Sequence, residues 1–221
     1  MPQIGTYPGS HEYYSVIRKE IMDLLPQHAG RMLDVGCAYG ATGAFLKQKG
    51  IVDQVYGVEF EPSAAAEARK HLDKVWQHDL NANRTLPEDL AREKFDLILC
   101  SHVLEHLIDP WSLLRQLNAI TVPGGRIVAA VPNIRHFRAL FPLFFRGDFT
   151  YTDAGTMDEG HLRFFTKKTF CTLLESSGYK IVRVADQGRD PGTKAKLLDQ
   201  LTLGLFSEFL DYQYMIWAEK V

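Results

Sequence analysis

Short apolar runs alternate with amphipathic stretches along most of the chain. The apolar runs fall at 32–35, 52–59, 75–78, 95–100, 126–131, 179–185 and 213–219. Their length and flanking turn residues predict strands. Apolar positions recur at helical spacing over 12–25, 41–49, 63–72, 110–121, 166–177 and 195–210. Local signals agree with these bounds. Pro26 stops the first helix, Pro62 sits where its missing N–H costs nothing, Thr166 is an N-cap, and Gly178 is a C′ residue. In the helix at 110–121, Trp111, Leu113, Leu114, Leu117 and Ile120 form the inner stripe, and Pro123-Gly124-Gly125 turns the chain after it. Strands alternating with helices predict an α/β fold on a doubly wound sheet.

The turn after the first strand, Gly36-Cys37-Ala38-Tyr39-Gly40, feeds directly into a helix. A strand, a glycine turn and a helix N-terminus build a ligand crevice at the carboxyl end of an open sheet. A dinucleotide fingerprint would place glycine at position 38, where pyrophosphate lies against the backbone. Ala38 stands there, and Asp34 precedes the turn, where its carboxylate repels pyrophosphate and attracts a cation. Glu59 ends the next apolar run, where an acid can grip ribose hydroxyls. A ribose without phosphates and with a positive tail describes S-adenosylmethionine (SAM) better than NAD. Asp79, after the third run, can accept from an adenine amine while Leu80 covers the ring; otherwise it is a turn acid.

LDVGCAYG at 33–40, YGVEFEP at 56–62, HDLN at 78–81 and FDLILCSHVLEHLIDP at 95–110 occur in that order. Together they resemble the class I SAM-dependent methyltransferases, and most of all the small bacterial enzymes of ubiquinone biosynthesis and cell-surface sugars. The resemblance covers roughly residues 30–185 and departs from the family loop at Ala38. It implies a Rossmann-like, seven-stranded, mostly parallel sheet whose last strand slots antiparallel between the fifth and sixth. It also implies SAM held by Asp34, Gly36, Cys37, Gly40, Glu59, Phe60, Asp79 and Leu80, with Ser101 and His102 beside the methionine part. The N-terminal helix would lie over the crevice, where Tyr7, Tyr13 and Tyr14 either line it or pack the helix onto the sheet.

Composition narrows the class. The 221 residues are 46% hydrophobic and 24% charged, as in one ordinary globular domain. A net charge of −2 does not steer the chain toward nucleic acid or anionic membrane. Cys37, Cys100 and Cys171 are an odd set without metal-like spacing, which fits a reducing cytoplasm. The N-terminus lacks a signal peptide, and no apolar run approaches the ~18 residues of a membrane span. The expectation is one domain over 1–221, with an N-terminal arm and helix (1–28) and insertions at 134–165 and 187–212. Its partner would be a small molecule, without nucleic acid or membrane insertion, and a homodimer is compatible with it.

The segment 134–165 is too long for an ordinary connection and reads as a substrate cover. His161, near acids that could orient it, is the first candidate for general base or else pins the loop. His106 is the second, facing substrate or ordering its own loop. His102 to His106 spells H-x-x-E-H, a zinc motif of one protease class. That motif needs a long helix, whereas Asp109-Pro110 cuts this one short, so no metal is expected. Arg135, Arg138 and Arg163 could bind an acceptor's carboxylate or phosphate, or form a solvated face. The expected reaction is methyl transfer to oxygen of a sugar, nucleotide sugar, lipid-linked precursor or phenol. An NAD-dependent oxidoreductase, a non-catalytic SAM-binding protein and an RNA methyltransferase are the alternatives.

Overall fold

A computed structural model describes residues 15–187 and 207–221. Strands β1 (Ala29–Val35), β2 (Val52–Glu59), β3 (Lys74–Gln77), β4 (Phe95–Ser101), β5 (Thr121–Pro132), β6 (Tyr179–Gln187) and β7 (Gln213–Lys220) form one sheet. Their order is β3-β2-β1-β4-β5-β7-β6, and β7 runs antiparallel to both of its neighbours. Helices α1 (Ala41–Gln48), α2 (Pro62–Ala68), α3 (Pro110–Ile120), α4 (Phe137–Arg146) and α5 (Lys167–Glu175) complete the fold.

Alternation along the strands splits the core into two layers. Ile98 and Cys100 of β4, Ile127 and Ala129 of β5, and Ile216 of β7 face Leu114, Leu117, Phe170 and Leu174 of α3 and α5. The intervening Leu97, Leu99, Val128 and Met215 face Leu46, Ala65, Ala68, Ile21 and Leu24 on the other side. Both faces are therefore dry, as a central parallel sheet requires. Between β1 and β4 the chain's order of addition reverses, and the crevice of such a sheet lies outside that point.

Several bounds differ from the sequence expectation. Of the helix expected at 12–25, the described part is a six-residue 3-10 turn, Lys19–Leu24. Leu25 is held extended (ψ 151°) ahead of Pro26, as a residue before proline is. Tyr7, Tyr13 and Tyr14 lie outside the described residues. The Pro123-Gly124-Gly125 turn is absorbed into β5, where the register with β4 shifts between Phe95 and Leu97. Trp111 is 40% exposed, at the edge of α3 rather than on its inner stripe, with the Arg163 guanidinium over its ring. Thr166 caps α5 in a reciprocal box with Thr169. Most of the helix expected at 195–210 falls outside the described residues, and Ser207–Phe209 is a 3-10 turn.

The β1–α1 turn is wound by three residues with positive φ: Gly36 (71°), Ala38 (51°) and Gly40 (77°). A Cβ at Gly36 would stand 2.5 Å from Val103 Cγ2, so that position excludes any side chain. Ala38 accepts the left-handed conformation, which opposes its own Cβ by about 1–2 kcal/mol. Replacing Ala38 by glycine relieves that strain but frees the unfolded chain by about 0.4–1 kcal/mol. The expected net is a gain of up to about 1.6 kcal/mol, read from the denaturant midpoint at unchanged slope; a lower midpoint would show that Ala38 is unstrained.

Candidate active site

A cleft of about 410 Å³ opens at the carboxyl ends of β1, β2 and β4. Asp34, Gly36, Cys37, Glu59, Phe60, Asp79, Leu80, Ser101, His102 and His106 all line it. Gly40 does not: it is buried as the N-cap of α1, and its Cβ position is filled by Leu72, so its part is to let the loop turn. Cys37 lines the cleft, its thiol packs where a Cβ of Gly57 would stand, and burial pushes the thiol pKa well up. His161 is also not among the residues that line the cleft and is 6% exposed.

Glu59 carries the geometry of the cofactor end. Its Oε2 accepts from the Ala38 N–H (2.8 Å) and its Oε1 from the Glu61 N–H (2.9 Å). Burial raises the Glu59 pKa, and those backbone donors oppose the rise. Asp34 is 4% exposed at the end of β1. Burial pushes it up to about 7, the Glu59 charge adds to the rise, and Arg18 works against it. Asp79 Oδ1 closes a turn by accepting from the N–H groups of Asn81 and Ala82. Ser101 Oγ, at the tip of β4, is buried with no hydrogen-bond partner among the described residues.

The other end of the cleft is a cluster of one acid and three histidines. Glu105 is 1% exposed, and its Oε1 lies 3.2 Å from His102 Nδ1 and 4.0 Å from His161 Nε2. Burial alone would raise Glu105, but the His102 hydrogen bond and the three histidines together hold it below its ordinary value. His102 takes a positive φ of 57° and sets its Nε2 2.7 Å from the Gln213 side chain. His106 and His161 meet edge to face at 4.7 Å between ring centres. Burial lowers the His161 pKa, and nearby His106 acts the same way while Glu105 opposes.

The candidate anion-binding arginines are dispersed. Arg135 pairs with Glu208, and Arg163 donates to the Ile108 carbonyl. Arg138 borders a second cavity of about 430 Å³ beneath α4, walled by His136, Pro142, Thr152, Met157 and Tyr212. Sequence reading missed Arg18, Thr42, Asn81 and Gly160, which line the main cleft, and the buried Glu105 bonded to His102. Glu105 had a signal, its place in H-x-x-E-H; Arg18 had none, because only the fold brings it over Asp34.

A family model described as a methyltransferase domain matches residues 10–184. The chain belongs to the methyltransferase-domain family, within the class I enzymes that use SAM. Curated relatives include the ubiquinone biosynthesis O-methyltransferases of Aeromonas salmonicida and Azoarcus sp. The first is 24% identical over 84% of this chain and 74% of that protein; the second is 25% identical over 90% and 84%. Among solved structures, a SAM-dependent methyltransferase from Archaeoglobus fulgidus superposes with a TM-score of 0.69 at 19% identity, over 97% of this chain and 96% of that one. The N-methyltransferase NodS from Bradyrhizobium japonicum, in complex with S-adenosylhomocysteine, gives 0.57 at 17% identity, over 87% and 79%.

The methyltransferase cleft fits its cofactor by its own chemistry. Two buried carboxylates suit a ligand with cationic groups and ribose hydroxyls, and the orphan Ser101 Oγ offers a further polar contact. Glu59 would hold the ribose, Asp34 would face a cationic group, and Leu80 would cover the base. Replacing Glu59 by alanine should weaken S-adenosylhomocysteine binding by about tenfold or more, since a charged hydrogen-bond acceptor is lost. Calorimetric titration checks it, and wild-type affinity in that variant would remove Glu59 from the ribose site.

Asp34 makes a second prediction. Its pKa is raised in the folded state, so the native protein binds the extra proton and stability falls as pH rises from about 4 to about 7. A cation against Asp34 favours the ionised form. Affinity for S-adenosylhomocysteine, whose amino group is cationic, should therefore rise between about pH 6 and about pH 8. Asp34→Asn should flatten both profiles; an unchanged affinity profile would place the ligand's cation elsewhere.

Proposed function

We propose that this methyltransferase acts on oxygen of a small-molecule acceptor, such as a sugar, nucleotide sugar, lipid-linked precursor or phenol. SAM supplies a methyl group already activated on a sulfonium. The protein's remaining work is to bind the acceptor, exclude water and take up the acceptor's proton. A hydroxyl keeps its proton at neutral pH, so an oxygen acceptor needs a proton-accepting group where an amine free base does not.

The observation that carries this proposal is the buried Glu105 bonded to His102, which lines the cleft together with His106. The names of the relatives support it. The net charge of −2 favours a small acceptor over nucleic acid. No helix among the described residues is long and apolar enough to cross a membrane.

A screen for S-adenosylhomocysteine release should find turnover with phenols or sugars and none with matched amines. Glu105→Gln should lower kcat by about 10²-fold or more with cofactor affinity within about twofold of wild type. Preferential methylation of amines, or full activity in Glu105→Gln, would overturn the oxygen assignment.

A further inference from the structure

Glu105, His106 and His161 form a potential ligand set. Each offers one donor atom, and the three donors lie within 4.8 Å of one another. Two come from the 3-10 turn after β4, Leu104–His106, and the third from the far end of the cover. The two segments are fastened together by backbone bonds, for the Glu105 carbonyl accepts from both the Leu162 and Arg163 N–H groups at 2.8 and 3.0 Å.

Hydrogen bonds orient both imidazoles. His106 Nδ1 is 3.1 Å from the Gly160 carbonyl oxygen, and His161 Nδ1 is 3.1 Å from that of Thr156. A carbonyl can only accept, so each Nδ1 carries the hydrogen and each Nε2 carries the lone pair in the neutral ring. Fixing the tautomer by a backbone carbonyl is the usual second shell of a metal-bound histidine. Glu105 completes the pattern: Oε1 is used by His102, while Oε2 is buried with no hydrogen-bond partner among the described residues. A buried carboxylate oxygen left without a donor is costly unless something cationic meets it.

We propose that Glu105, His106 and His161 bind one divalent transition-metal ion at the acceptor end of the cleft. Two imidazole nitrogens and one carboxylate oxygen suit zinc with an open position, whereas magnesium favours oxygen ligands throughout. Ligand atoms about 2.0–2.2 Å from a zinc ion stand about 3.4 Å apart, so donors within 4.8 Å of one another close by about 1.4 Å or less to hold one. The H-x-x-E-H spacing was set aside in the sequence because it lacks a long helix. The fold supplies the third ligand from 55 positions downstream of His106 instead, 161 minus 106. His106 and Gly160 line the cleft, so the open position faces it. There the ion would hold the acceptor oxygen and ease loss of its proton to His102, the cluster's histidine outside the metal set; this use, unlike the metal binding itself, rests on the oxygen-acceptor proposal.

The test uses the full, untagged chain, stripped with chelator and titrated with ZnCl2 by calorimetry and with CoCl2 by visible absorption. Wild type should take up one ion per chain, with cobalt bands of an asymmetric nitrogen–oxygen site, and excess MgCl2 should not displace zinc. Glu105→Gln, His106→Ala and His161→Ala should each weaken zinc by at least about tenfold, while the surface variant His71→Ala should match wild type. Circular dichroism identifies any variant that fails to fold, and the wild-type cobalt spectrum then decides alone. Equal zinc affinity in wild type and all three folded variants, or no cobalt bands in wild type, would overturn the site. No acceptor is present, so that failure leaves the oxygen-acceptor proposal standing, and failure of the acceptor screen leaves the zinc titration intact.

Discussion

The Glu59 carboxylate is the joint on which the cleft is built. It ends β2, yet it accepts from the backbone of the β1–α1 turn at Ala38 and from its own onward turn at Glu61. Two neighbouring strand ends are thereby fixed to one charged group, and charge-assisted bonds of this kind are stronger than neutral ones. The bond to Ala38 also holds a non-glycine residue in a left-handed turn that its own Cβ opposes. Without that acceptor, the Ala38 N–H and the strained turn would both need another partner.

The same joint sets the electrostatics. Keeping Glu59 buried places its charge near Asp34, which burial has already made reluctant to ionise. A pair of acids in a dry crevice is unfavourable until a cation or several donors arrive. This is the reverse of a phosphate-binding loop, where backbone N–H groups wait for an anion. Ala38 and Asp34, the two departures from a dinucleotide turn, therefore belong to one arrangement rather than two accidents of sequence.

Much of this was legible before any coordinates. Runs such as 127–131 are continuous and apolar, and parallel strands buried on both faces write themselves that way. The cofactor end was legible because its residues sit at strand tips, where sequence position and spatial position coincide. The acceptor end was not. His161 reads as either a general base or a pin for its loop, and nothing in the 54 residues between it and His106 signals that the fold sets the two rings edge to face. Trp111 misled for a different reason: it lies on the helical stripe by spacing, but at the open edge of α3, where Arg163 rather than the core covers it. The short 3-10 turn at Lys19–Leu24 shows proline context overriding helical periodicity.

The two ends of the cleft are not independent. Val103 lies between His102 and Glu105 in sequence, and its Cγ2 fills the space that a side chain at Gly36 would need. The cofactor loop and the acid–histidine cluster thus share one wall, with His102 held in a left-handed backbone beside it. The His102 backbone N–H donates to Ala130 of β5, while its ring reaches Gln213 at the start of β7. Through this single turn, the switch point between β1 and β4 is tied to the antiparallel strand β7. A motif that reads like a metal site in a protease helix here becomes a strained corner, and the backbone of that corner is bonded to the segment that carries His161.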